Sequence, residues 1–188
     1  TNFASAVPAL ARQAMAEYTA LTGREYAPVI AYDCEDADYV MVGLGSITDD
    51  VRAVLPHLRA QGLKVGVVSV KLLQPFPEAE LVAALGNARA VTVLERSDDT
   101  ALTRLVTQAL FKARANAGVP GMAALPAMTT AIFGLGGHDI QPRYLVSAFE
   151  NMASAQPTPL VYLGSQFFTA NPTPAVAAIQ SRLRAAYP

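Results

Sequence analysis

Glycines cluster directly after a predicted strand, where an α/β sheet can bind phosphates. The segment is Gly43-Leu44-Gly45-Ser46, and a predicted helix starts behind it at Thr48. Backbone N–H groups in such a turn, with the positive end of the helix dipole, can hold an anionic ligand. The dinucleotide fingerprint also needs a third glycine, but Thr48 stands at that position. We therefore favour glycines that permit a tight strand-to-helix turn over a nucleotide site.

A second glycine-dense loop, Gly134-Leu135-Gly136-Gly137-His138, follows another predicted strand and precedes Pro142, which lies near the start of a helix. Its glycine density exceeds what a plain connector needs. One interpretation is close approach of this backbone to another subunit or a ligand. The favoured interpretation is a turn with several positive φ angles.

Polar residues also end two further predicted strands. Glu95-Arg96-Ser97-Asp98-Asp99 ends one of them, and Gln74 follows the other. Convergent polar groups at strand carboxyl ends are typical of ligand sites in doubly wound sheets. A crevice at Gly45, Gln74 and Glu95 could thus hold a small anionic ligand, such as coenzyme A or a nucleotide, in a binding or regulatory module. An ion pair and the N-cap of the next helix are the favoured explanation of the charged residues.

The remaining reactive side chains do not form a recognisable catalytic set. His57 falls in a predicted helix and His138 in a loop, and neither has a second ligand at metal spacing. The only cysteine, Cys34, excludes a disulfide within the chain and a cysteine cluster for zinc or iron–sulfur. No nucleophile elbow, P-loop or acid–base carboxylate pair is recognisable. We predict no catalytic and no metal residue, and an independent NAD-dependent enzyme is the least favoured class.

Composition limits the partners and the location. The 188 residues carry 14 basic and 15 acidic side chains, so no polyanion such as nucleic acid is expected as a partner. No uninterrupted apolar run reaches the length of a membrane span, and a single cysteine suits a reducing cytoplasm. Only 15% of the residues are charged, against about 25% in an average soluble domain. We therefore expect part of the surface to be covered by a partner.

Alternating strand and helix patterns predict the fold that must position these segments. Continuous apolar runs indicate buried parallel strands, and helical crossovers join them. The prediction is a three-layer α/β/α domain with a mostly parallel sheet of about five strands. The predicted strands span residues 39–42, 65–73, 90–94, 130–133 and 160–163, and helices at 48–62, 77–85 and 100–115 lie between them.

Two terminal helices complete the predicted organisation. Thr48 is the expected N-cap of the helix at 48–62, which Pro56 should kink or force to begin later. We divide the chain into an N-terminal helix and connector, residues 1–36, and an α/β domain, residues 37–188, that ends in a helix. The first helix should pack on the domain or on a neighbour through Phe3, Val7, Leu10, Ala14, Tyr18 and Leu21. The last helix has an apolar stripe of Val176, Ile179, Leu183 and Tyr187.

Several motifs, in their order and spacing, resemble the second domain of pyruvate:ferredoxin (flavodoxin) oxidoreductases. The same pattern occurs in the alpha subunits of related 2-oxoacid:acceptor oxidoreductases, and the resemblance covers roughly residues 18–152. The motifs are Leu21-Thr22-Gly23-Arg24-Glu25-Tyr26, Val40-Met41-Val42-Gly43-Leu44-Gly45-Ser46, Gly62-Leu63-Lys64-Val65-Gly66-Val67-Val68, Leu72-Leu73-Gln74-Pro75-Phe76-Pro77, Val91-Thr92-Val93-Leu94-Glu95-Arg96 and Phe133-Gly134-Leu135-Gly136-Gly137.

The resemblance implies a domain similar to the C-terminal domain of transketolases, with an assembly role. The implied parent enzyme oxidatively decarboxylates a 2-oxoacid to an acyl-CoA, using thiamine diphosphate with Mg²⁺, coenzyme A and iron–sulfur clusters. Implied partners are its other domains or subunits in a homo-oligomer, and ferredoxin or flavodoxin. The Gly-Asp-Gly motif of the thiamine domain is absent, so this segment should bind none of these cofactors and be inactive alone.

Overall fold

The computed structural model describes residues 2–119 and 121–164, and beyond these only positions 174, 177, 178, 181 and 182. Within that part, six strands form one sheet, accompanied by five α-helices and one short 3₁₀ helix at Leu135–Gly137. The strands are β1 (Val29–Tyr32), β2 (Tyr39–Leu44), β3 (Val65–Val70), β4 (Ala90–Glu95), β5 (Ala127–Phe133) and β6 (Leu160–Leu163). The α-helices are α1 (Asn2–Thr22), α2 (Ile47–Ala60), α3 (Glu78–Ala84), α4 (Ala101–Arg114) and α5 (Pro142–Ala153).

The sheet is parallel except at one edge. Its strand order is β1-β3-β2-β4-β5-β6, and only β1 runs antiparallel to its neighbour. Tyr39 at the start of β2 lies opposite Val65 of β3 and Ala90 of β4, so the parallel strands start in register. The predicted mostly parallel sheet is therefore confirmed. The last predicted helix, residues 171–187, lies outside the described residues except at the five isolated positions given above.

The edge strand β1 was not predicted. It has four residues, lies inside the segment assigned to helix and connector, and pairs with β3. The same edge also explains why β3 ends at Val70 rather than at residue 73. The backbone N–H groups of Lys71 and Leu72 both donate to the carbonyl of Pro28, at 2.9 and 3.2 Å. These bonds turn the chain away from the sheet ladder.

Two apolar clusters, one on each face of the sheet, give the three-layer architecture. Every residue of β3 and β4 is buried, as expected for central parallel strands. Helices α3 and α4 cover one face, and α2 and α5 cover the other. The residues that α3, the position directly after it and α4 contribute to the first cluster are Leu81, Val82, Leu85, Leu102, Val106, Ala109, Leu110 and Ala113. Those of the second are Ile47, Val51, Val54, Leu55, Leu58, Leu145, Ala148, Phe149 and Met152.

Two predictions about the start of helix α2 are wrong. The helix begins at Ile47, so Ser46 is its N-cap and Thr48 is the second helical residue. The chain turns into the helix at Gly45, whose φ of 80° permits this earlier start. The helix then continues through Pro56 to Ala60, so a later start is also wrong. Pro56 lies on the exposed face, where water can satisfy the carbonyl that loses its helical partner.

Candidate functional site at the carboxyl edge of the sheet

The strand order places a topological switch point between β2 and β4. The chain passes from β2 to β3 on one side and then returns to β4 on the other side. The carboxyl ends of β2 and β4 therefore flank the point where the order reverses, which is where doubly wound sheets bind ligands. The predicted residues at Gly43–Thr48 and at Glu95–Arg96 follow these two strands, so the topology confirms that they share one edge.

Gly43 serves packing rather than an open phosphate cradle. It is buried, and a Cβ built on it would lie 2.9 Å from Cγ2 of Thr48 and 3.2 Å from Cγ2 of Ile47. The missing side chain therefore lets the first turn of α2 lie directly on β2. Gly45 differs, because it is exposed and a Cβ there would meet nothing within 4 Å. Glycine is favoured at this position because the turn requires a positive φ angle.

A hydroxyl pair fills the space behind this turn. The Thr48 side chain is buried, and its hydroxyl donates to the carbonyl of Gly45 at 2.8 Å. The Ser69 hydroxyl of β3 lies 2.8 Å from the Thr48 hydroxyl oxygen and can donate to it. Ser69 was not a predicted site residue. A serine within the apolar strand Val65–Val70 was the available signal, because a buried hydroxyl needs a partner.

Glu95 is buried and supports helix α4. Its Oε1 accepts the backbone N–H of Thr103 at 2.6 Å, in the first turn of α4. That N–H has no partner within the helix, and the helix dipole favours a carboxylate there. Farther along the segment, Asp99 forms an ion pair with Arg104, whose hydrogen bond lowers the pKa of the Asp99 carboxyl. The segment thus contributes one ion pair, between Asp99 and Arg104 of α4, and the N-cap Thr100 makes no side-chain capping bond.

Arg96 and the second glycine loop come together at this edge. A Cβ built on Gly134 would lie 3.4 Å from Nε of Arg96, so the arginine side chain lies against that backbone. Gly134, Gly136 and Gly137 all have positive φ, between 66° and 77°. The predicted turn with several positive φ angles is confirmed. His138 follows the turn, and its Cδ2 is 3.7 Å from the Cβ position of Gly136.

The predicted residues thus separate into a buried and an exposed set. Gln74 is exposed in the loop between β3 and α3. Among the described residues, no hydrogen bond or ion pair joins Gln74 to Gly45 or Glu95. The buried set is Gly43, Thr48 and Glu95, Gly134 is half-buried, and the exposed set is Gly45, Ser46, Gln74, Arg96, Gly136, Gly137 and His138.

Two clefts are lined by other residues. One, of about 190 Å³, lies between α1 and α3 and is lined by Arg12, Phe76 and Glu80 among others. The other, of about 320 Å³, lies beside the end of α3 and is lined mainly by small residues. None of the eleven predicted site residues lines either cleft.

Cys34 is placed as a core residue. The thiol is buried beside β3, within 3.5 Å of the Val67 carbonyl. Burial raises the pKa of Cys34 to about 12, which keeps the thiol protonated and unreactive at neutral pH. In the part of the chain that the structure describes, no three His, Cys, Asp or Glu side chains form a group that could hold a metal ion. None of its helices is long and apolar enough to cross a membrane.

We predict that the folded protein protects Cys34 from a disulfide reagent at about pH 8, whereas unfolding in urea exposes a rapidly reacting thiol. The pKa of the folded thiol lies above its ordinary value of 9.0. Burial of the neutral thiol therefore contributes fully to stability below about pH 9, and this contribution is lost as the pH rises towards 12. Urea titrations of the wild type and Cys34→Ala across that range measure the loss. Rapid labelling of the folded chain would contradict the buried placement.

Comparison with known proteins identifies similar domains. The family model described as "Pyruvate:ferredoxin oxidoreductase core domain II" matches residues 37–145. Pyruvate synthase subunit PorA of Thermotoga maritima is 34% identical over 139 residues, which cover 72% of this chain and 33% of that protein. Pyruvate-flavodoxin oxidoreductase of Enterobacter agglomerans is 29% identical over 158 residues, covering 83% of this chain and 13% of that protein. The chain thus spans a third or less of these relatives.

Solved structures support the same fold. 2-oxoglutarate:ferredoxin oxidoreductase from Magnetococcus marinus aligns over 72% of this chain and 21% of its own, with a TM-score of 0.52 and 23% identity. A split-gene transketolase, in an inactive beta4 tetramer, aligns over 69% of this chain and 43% of its own, with a TM-score of 0.51 and 20% identity. These similarities confirm the predicted transketolase-like architecture.

Proposed function

Because the chain belongs to the pyruvate:ferredoxin oxidoreductase core domain II family, we propose that it is a non-catalytic assembly domain of a 2-oxoacid:ferredoxin oxidoreductase. The observation that carries the proposal is the extent of the family match. Residues 37–145 include β2 through β5 and the start of α5, which is most of the sheet and its helices. The match therefore concerns the folded domain as a whole rather than one motif.

The proposed parent enzyme oxidises a 2-oxoacid, transfers the acyl group to coenzyme A, and passes two electrons to ferredoxin or flavodoxin. Thiamine diphosphate with Mg²⁺ and iron–sulfur clusters would supply that chemistry from other parts of the parent. The residues of this chain do not fit an iron–sulfur cluster, since such clusters are commonly held by four thiolates and the chain has one cysteine. That cysteine is also buried in the core.

The packing at the sheet edge supports assembly over ligand binding. Thr48 and Ile47 lie where a Cβ on Gly43 would be, and the Glu95 carboxylate is engaged by α4. The exposed residues Gly45, Arg96 and His138 remain the candidates for contact with a ligand or a neighbouring domain. In this proposal, residues 1–36 contribute helix α1 and the edge strand β1 to the α/β domain at residues 37–188, within a cytoplasmic, homo-oligomeric parent.

Capture of the tagged chain, expressed in its genomic context, tests the proposal. We expect native mass spectrometry to show the segment with iron–sulfur and thiamine-diphosphate-binding polypeptides, or within one much larger polypeptide. The isolated segment should not turn over a 2-oxoacid with coenzyme A and a redox dye, because the cofactor sites lie elsewhere in the parent.

Recovery of a lone chain of 19.8 kDa, or of its simple homo-oligomer, would contradict the assembly role. Calorimetric titration then tests the rival binding module with coenzyme A, thiamine diphosphate and nicotinamide nucleotides. An assembly domain should give no saturable heat below about 1 mM ligand, which corresponds to only about 4 kcal/mol of binding free energy.

A further inference from the structure

Helix α1 presents two different faces. The face towards the domain is half-buried, and it is not the apolar stripe that the sequence pattern predicted to pack. The half-buried side chains on this face are Pro8, Ala11, Met15 and Thr19, which recur at helical spacing, and Val7 of the predicted stripe is half-buried as well. The predicted stripe is mostly exposed, with Leu10 at 55%, Tyr18 at 50% and Leu21 at 83% exposure. We call Leu10, Ala14, Tyr18 and Leu21 the outer stripe.

Specific contacts fix α1 in this orientation. On the domain side, Arg12 Nε donates to Glu80 Oε1 at 2.7 Å. At the end of the helix, the Thr19 hydroxyl accepts the backbone N–H of Tyr26 at 2.9 Å. The Tyr18 ring packs edge-on against the Tyr26 ring, with centroids 4.7 Å apart. Arg12 lies on the side of the helix away from the outer stripe, so its bond to Glu80 holds the stripe away from α3, while the two Tyr26 contacts hold the end of the helix against the connector.

We infer that the outer stripe is a docking surface covered by a neighbouring apolar part of the parent oxidoreductase polypeptide; this inference rests on the proposed function. The chain accounts for 33% of the Thermotoga maritima relative, so most of such a polypeptide lies outside it. Exposed apolar side chains grouped in one stripe mark an interaction site on a protein surface.

Tethering favours this occupant over a second copy of the chain. The outer stripe has four residues, whereas a stable interface between separate proteins uses about 20–30 residues on each side. A neighbour in the same polypeptide is held at high effective concentration, so a smaller surface suffices for docking. The same stripe would be too small to hold two free copies together.

Hydroxyl-radical footprinting tests the inference by comparing the 188-residue chain with the parent enzyme obtained by capture. We expect Leu10, Tyr18 and Leu21 to be oxidised at least about fivefold more slowly in the parent, because their side chains lose contact with water. Met15, a half-buried side chain of the same helix outside the stripe, is the internal reference and should be oxidised at the same rate in both samples.

Two variants of the parent test whether docking at the stripe is what slows the oxidation of Leu10 and Tyr18. Leu21→Ser should bring the oxidation rates of Leu10 and Tyr18 to within about twofold of those in the free chain. Gln13→Ser, exposed on the same helix but outside the stripe, should keep them protected. Equal oxidation in the chain and the parent would overturn the inference. Protection that grows with the concentration of the free chain would assign the stripe to a second copy instead. Absence of any oxidoreductase parent in the capture would instead count against the proposed function.

Discussion

Replacing Phe149 by alanine is expected to lower the free energy of unfolding by about 3–5 kcal/mol. Among the described residues, Phe149 is the largest fully buried side chain, 1% exposed, on the face of α5 that packs in the cluster with α2. Truncation removes the burial of the ring and leaves a cavity between a helix and the sheet, where the surrounding backbone can relax little. Urea unfolding of both proteins, followed by far-UV circular dichroism, measures the difference.

Phe111→Ala is the matched control. The side chain is the same, but Phe111 lies on α4 with 64% of its surface exposed. Its truncation should change the free energy of unfolding by no more than about 0.5 kcal/mol. Similar losses for the two variants would show that the cluster beneath α5 does not stabilise the fold as its burial indicates.

The sequence predicts the interior of the sheet well because central parallel strands carry a strong local signal. All six residues of β3 and of β4 are buried, and each strand is mainly apolar, with Ser69 in β3 and Thr92 and Glu95 in β4 as the polar exceptions. The edge strand β1 lacks that signal. It has four residues with mixed burial, and its pairing depends on β3, which follows more than 30 residues later in the chain. Such pairing cannot be inferred from local composition.

Helical periodicity predicts which apolar residues share one face of a helix, but it does not predict which part of the protein covers that face. The stripe of Leu10, Tyr18 and Leu21 was correctly placed on one face of a helix, yet the face that meets the domain contains Met15 and Thr19. The contact that fixes this choice is the ion pair of Arg12 with Glu80, whose partners are 68 residues apart. A tertiary contact of this kind is invisible to a periodic pattern.

The candidate site was predictable in position and not in detail. Alternation of strands and helices places the segments after β2 and β4 at one edge by topology alone. One sequence pattern fits both a Gly43 that binds a ligand and a Gly43 that lets a helix pack on the strand. The distance of 2.9 Å from a Cβ built on Gly43 to Cγ2 of Thr48 decides for the helix. The hydroxyl bond of Thr48 with Ser69 likewise links residues on different elements.

Gly66→Ala is expected to lower the free energy of unfolding by about 1–3 kcal/mol. A Cβ on Gly66 would lie 2.7 Å from the carbonyl oxygen of Asp33 and 2.9 Å from Sγ of Cys34. Both distances are shorter than ordinary van der Waals contact, and the first atom belongs to the backbone. Either β3 or the connector before β2 must shift, although β3 is bonded to strands on both sides.

The connector has little freedom to give way, which is why the loss should be measurable. Arg59 of α2 donates to the Asp33 carbonyl at 2.6 Å, to the Asp36 carboxylate at 2.8 Å and, through Nε, to the Val65 carbonyl at 2.9 Å. One guanidinium thus holds the connector against the strand that contains Gly66. Relief of the clash by moving the connector would weaken these bonds, so the energetic cost of the added methyl is shared between strain and lost hydrogen bonds.

Gly86→Ala separates this clash from the general effect of a glycine substitution. Gly86 does not have a positive φ, and a Cβ there would lie 3.4 Å from the nearest atom, the Ala83 carbonyl oxygen, which is ordinary contact. The change should be neutral or stabilising by up to about 1 kcal/mol, since alanine restricts the unfolded chain. Equal urea midpoints for the two variants would mean that the connector can move away from β3 without cost. A loss confined to Gly66→Ala would establish that the connector, although it lies outside the strands, is packed as rigidly as the core.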